Sequence, residues 1–232
     1  MVPLIEITYF TSCIIVIIRI LRYRKRTSQN STITLSTLVF VIACIAALIA
    51  HNFSNRNDKI GLTVFVTFLI IEITYLLIIT LVAIRSNKLK IIFGVLLLSG
   101  LVFIPFLATK AWTDITFDPL FAYESLIATS ISFAYFIQLG DQIKTTNVLR
   151  DPVTLLMLGL FFCYSMPFAY NTTMATISFI DPNFYPSIRN SYQDRLLLIG
   201  VSRVGTICYI IFNIFIYKAF KCKTQIQVGI SS

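Results

Sequence analysis

Seven apolar stretches, each long enough to cross a bilayer, constrain this chain more than any other feature. They span residues 3–21, 33–53, 61–84, 91–109, 120–139, 153–173 and 196–220. A membrane helix needs about 20 mostly apolar residues, because the hydrocarbon layer is about 30 Å thick and each residue rises 1.5 Å. Backbone polar groups in lipid must be satisfied within their own segment, so the stretches read as helices. The expected fold is all-α, a polytopic membrane protein with seven transmembrane helices in one domain, residues 1–220. Residues 221–232 form a short basic tail.

Composition agrees. The chain is 57% apolar and 12% charged, where a soluble domain carries about 25% charged residues. That excludes a soluble globular protein and a disordered one. The first stretch is not a secretory signal. Its basic cluster, Arg22, Arg24, Lys25 and Arg26, follows the apolar run instead of preceding it.

The net charge of +9 has a membrane explanation, so no nucleic-acid partner is expected. Basic residues gather in alternate loops. Arg22, Arg24, Lys25, Arg26, Arg85, Lys88, Lys90, Lys144, Arg150, Lys218, Lys221 and Lys223 fall on one side. Arg56, Lys59, Lys110, Arg189 and Arg195 fall on the other. The bias puts the first side in the cytoplasm, with the N-terminus outside and the C-terminus inside. The lipid bilayer of the plasma (inner) membrane is the expected environment.

Ionisable groups within spans are the first candidates for a functional site, because each costs several kcal/mol unless paired or wetted. Glu72 lies near the middle of the third span, Glu124 in the outer part of the fifth, and Arg203 in the outer part of the seventh. Counted from the outer ends of their spans, Glu124 and Arg203 share a depth and Glu72 lies several ångströms deeper. The expected ligand-binding set is an outward-facing pocket of Glu124, Arg203, Glu72, Tyr123 and Asn171. Thr172, Thr173, Ser202 and Thr206 would complete the lining. Arg19, near the cytoplasmic end of the first span, is explained by snorkelling. Pro167 should bend the sixth span by removing one backbone hydrogen bond. Asp118–Pro119 and Asp151–Pro152 read as N-cap and N1 of the helices that follow them.

Most catalytic chemistry is missing. His51 is the one histidine, which leaves no zinc set and no Ser–His–Asp set. No Walker A motif occurs. The five cysteines, Cys13, Cys44, Cys163, Cys208 and Cys222, form no CxxC pair. The first four read as small buried hydrophobes. No enzyme activity, metal or cofactor is expected.

One resemblance adds to this reading. Tyr123-Glu124-Ser125, Phe133-Ala134-Tyr135-Phe136, Leu149-Arg150-Asp151-Pro152, Gly159 and Tyr164-Ser165 follow in order between residues 117 and 179. This pattern resembles small uncharacterised seven-span bacterial membrane proteins, some of which look like detached membrane sensor domains of histidine kinases. These 232 residues include no kinase domain. The resemblance implies a membrane sensor or signalling component that works through a separate cytoplasmic signalling protein or as a homo-oligomer. The alternatives are a small-solute transporter or channel subunit and a structural membrane subunit without a ligand.

Overall fold

The structure is a computed structural model that describes residues 4–27, 32–53, 59–111, 118–140, 151–180 and 192–221. Seven helices form among the described residues: α1 (Leu4–Thr27), α2 (Thr32–Phe53), α3 (Lys59–Ala83), α4 (Asn87–Ala111), α5 (Asp118–Gly140), α6 (Pro152–Ile180) and α7 (Tyr192–Ala219). Each packs on its neighbours in sequence, and α1 packs on α7, so the bundle closes on itself. Helix α3 also touches α5, which draws α3 toward the middle.

Four of the seven contain a run long and apolar enough to cross a membrane: Leu4–Arg24, Thr32–Ile49, Val66–Ala83 and Pro152–Ala169. A shorter apolar run, Gly205–Ala219, lies in α7. In α5 the run is diluted by Glu124, Ser125, Thr129, Ser130 and Ser132. These helices mark a multi-pass integral membrane protein in contact with lipid.

The surface supports that environment. Ile7, Ile14, Ile18 and Leu21 form an exposed stripe on α1, and Ile91, Val95, Leu98 and Val102 form another on α4. In water such stripes would be costly; in hydrocarbon they are the natural outside of a bundle. Exposed threonines on these surfaces satisfy their hydroxyls locally. Thr8, Thr11, Thr67, Thr74, Thr173 and Thr176 each donate to the carbonyl four residues back, at 2.7–2.8 Å. This bond lets a hydroxyl face lipid without an orphaned polar group.

Aromatic and small residues fix the packing. Phe40 of α2 stacks on Tyr75 of α3, with centroids 4.6 Å apart, and meets the edge of Phe212 of α7 at 5.9 Å. All three are fully buried. Gly159 of α6 sits against Phe212 and Phe215, where an added Cβ would lie 2.6 Å and 2.9 Å from their atoms. The second contact is to the Phe215 Cβ, which rotation of the side chain cannot move away.

At the basic end, Asp151 caps α6 as the sequence predicts. Its Oδ2 accepts from the Thr154 amide and hydroxyl at 2.7 Å each, and from the Tyr135 hydroxyl at 3.2 Å. The cap therefore also ties α6 to α5. Arg19 is half-buried over the Tyr217 ring, 5.7 Å from its centroid, in a cation–π contact, and its Nε is buried without a hydrogen-bond partner. Helix α6 runs through Pro167 without a break in the assigned helix. The proline still leaves the Cys163 carbonyl without its usual i+4 donor.

Close approach at Gly159 yields a direct expectation. Gly159→Val should destabilise the bundle by about 1–3 kcal/mol through overpacking, read as a lower thermal midpoint in detergent. Gly94→Ala is the matched control. Its Cβ would meet only Leu77 at 3.8 Å, and the midpoint should not fall.

Candidate functional site

Glu72 is the fourteenth residue of the 25-residue α3 and is 1% exposed. A carboxyl group this far from water needs donors from neighbouring helices. Two tyrosines provide them. The Tyr209 hydroxyl on α7 donates to Glu72 Oε1 at 2.9 Å, and the Tyr164 hydroxyl on α6 donates to the same oxygen in a short hydrogen bond. One carboxylate oxygen thereby ties α3, α6 and α7. The other, Oε2, is buried and has no hydrogen-bond partner.

Glu124 is the second buried carboxyl, 3% exposed on α5. Its Oε1 is also buried without a hydrogen-bond partner. Glu124 lies within electrostatic range of Glu72, and Cys163 lies within range of both. Helix register explains the approach. The Arg85 amide, just after α3, donates to Gln138 Oε1 on α5 at 2.9 Å. Arg85 follows Glu72 by 13 residues, and Gln138 follows Glu124 by 14. Counted back from this tie, both carboxyls sit about 20 Å from the basic end.

This corrects the expected depths. Glu72 does not lie several ångströms below Glu124; the two share a level. The expectation counted from the outer ends of the apolar runs, and α3 extends further there than α5 does. Arg203 precedes Tyr209 by six residues on α7, or about 9 Å of helix rise toward the opposite end. Its side chain, and that of Asn171 on α6, lie outside the described residues, as does the expected Glu124–Arg203 pair.

Tyr123 has another role from the one expected. Its hydroxyl turns to α4, where it meets Ser99 Oγ at 2.8 Å and donates to the Leu96 carbonyl at 3.0 Å. Its ring also lies beside Gly100, which would hold a Cβ 3.6 Å away. Tyr123 thus joins α4 to α5 instead of lining a cleft with Glu124. Thr172 and Thr173 are exposed, and Thr173 bonds the Ala169 carbonyl of its own turn. Neither lines an inner pocket.

Tyr164 and Tyr209 are the functional candidates that sequence reading missed. Both stand far from a span end. A tyrosine at the headgroup level finds water, whereas one in mid-span must find a buried acceptor. That mid-span location was the available signal. Tyr9 of α1 lies beside the cluster, its ring 6.0 Å from that of Tyr209. Asn213, one turn further along α7, donates to Ser12 Oγ at 2.8 Å and Cys13 Sγ at 3.2 Å.

No protein-family model, curated protein or solved structure matches this chain. The case for a site therefore rests on geometry. The described residues hold no group of three His, Cys, Asp or Glu side chains suited to a metal ion.

The arrangement predicts energetic coupling between the two carboxyls. Glu72→Gln and Glu124→Gln should be non-additive by about 0.5–3 kcal/mol in a double-mutant cycle. Additive effects would separate the two groups. Tyr164→Phe and Tyr209→Phe should each lower the thermal midpoint, by a loss of about 1–3 kcal/mol per bond.

Proposed function

We propose that this chain is a seven-span protein of the plasma membrane, with its N-terminus outside and its C-terminus in the cytoplasm, that acts as a membrane sensor. It would take its ligand from the outer side at the Glu72–Glu124 cluster and pass a helix shift to a separate cytoplasmic partner. The observation that carries this reading is the meeting of four helices at one buried polar cluster. A change at Glu72 would be felt by α6 and α7 through Tyr164 and Tyr209. Both helices lead to the basic end, where Asp151 and Lys218 lie. One turn from the cluster toward that end, Phe40, Tyr75 and Phe212 pack tightly, which favours relay through helices over passage of a solute.

A second reading is a small-solute transporter. The position of Glu72 halfway along α3 favours it, since transport sites lie near the bilayer midplane. Flux separates the two. In liposomes, a sensor should show no solute flux and should bind a cytoplasmic protein through its basic loops; substrate-dependent flux would favour the transporter.

Sidedness is tested by labelling. In a Cys222→Ser background, Ser28→Cys should react with an impermeant thiol reagent only from the cytoplasm, and Asn183→Cys only from outside. The reverse pattern would overturn the orientation and with it the outward-facing site.

A further inference from the structure

We infer that Glu72 and Glu124 together bind one monovalent cation of the alkali-metal class. The inference deepens the ligand-binding reading above by naming what the cluster holds.

Two carboxyl groups share a level in the core of the bundle, each with one buried oxygen that has no hydrogen-bond partner: Glu72 Oε2 and Glu124 Oε1. The Tyr164, Tyr209 and Tyr123 hydroxyls are already directed. The first two point to Glu72 Oε1, which holds that carboxyl in place and leaves Oε2 free to face a ligand. The Tyr123 hydroxyl is taken up by α4. A carboxyl oxygen left without a donor in a low-dielectric interior is stabilised by a proton or by a bound positive charge. Among the described residues the partly buried cation Arg19 is on α1, eight residues before that helix ends at Thr27, near Tyr217. Arg85 is 13 residues from Glu72 along the chain.

The donor chemistry narrows the class. Carboxylate oxygens are hard ligands that suit alkali and alkaline-earth ions, whereas thiolates and imidazoles select transition metals. Closely spaced carboxyls do not ionise together, so the pair keeps one proton and one negative charge, which a unit charge balances; no third acidic, His or Cys ligand enlarges the set among the described residues.

The test is thermal unfolding of the protein in detergent at neutral and at acidic pH, with NaCl or KCl replacing choline chloride at constant ionic strength. Wild type should show a saturable rise in midpoint of about 2–4 °C with one of the two ions. Glu72→Gln and Glu124→Gln should lose the rise while keeping wild-type helicity by circular dichroism. Tyr123→Phe, which alters only the α4 contact, should keep it. Equal midpoints in choline, sodium and potassium would overturn the inference, as would a rise that survives in both glutamine variants. Stabilisation by acidification alone would mean that protons neutralise the site, and a cation effect that appears only in Arg203→Gln would make Arg203 the counter-charge; either result overturns it. Failure here leaves the sensor reading to be decided by labelling, flux and partner binding. Failure of those assays leaves a saturable cation effect intact.

Discussion

A carboxyl group halfway along a membrane helix has no water to turn to, so Glu72 must find its hydrogen bonds in other helices. It finds them on α6 and α7, and its companion Glu124 arrives on α5. The bundle is arranged around that requirement. Helix α3 is drawn inward, where its mid-span carboxyl is accessible to three other helices. Hydrophobic burial alone would not choose this arrangement, because lipid tails are as apolar as the leucines and isoleucines of a helix surface. Packing of small residues and buried hydrogen bonds chooses it instead.

Two further devices support the cluster. Toward the basic end, Phe40, Tyr75 and Phe212 lock α2, α3 and α7, and Gly159 lets α6 approach Phe212 closely. At that end itself, Asp151 serves both as the cap of α6 and as the acceptor for Tyr135 of α5. Each device fixes neighbouring helices in register, and a glutamate and a tyrosine on different helices meet only when register is fixed. The polar centre and the aromatic layer therefore depend on each other.

Helix existence was legible in the sequence because lipid makes the pattern coarse: a run of apolar residues has few alternatives to a helix. The cap at Asp151 was legible because Asp–Pro at a helix start is a local signal, complete within a few residues. Glu72 and Glu124 were legible as sites because their cost in hydrocarbon is independent of context. Their common level was not. Apolar runs end where composition changes, and α3 and α5 begin at different heights, so counting from run ends put Glu72 too deep. The role of Tyr123 was hidden for another reason. Periodicity in an almost wholly apolar helix does not say which face meets which neighbour, and Tyr123 turned to Ser99 while Tyr164 and Tyr209, on helices far apart in sequence, turned to Glu72.

Tyr164 and Tyr209 both hold Glu72 in the middle of the bundle, and infrared spectroscopy of the protein in bilayers reads this directly. The carboxyl band of Glu72 is identified by its loss in Glu72→Gln. The band should shift in Tyr164→Phe and again in Tyr209→Phe, and stay put in Tyr135→Phe, whose hydroxyl serves Asp151 at the basic end. A band unmoved by both Tyr164→Phe and Tyr209→Phe would show that the two hydroxyls do not hold Glu72.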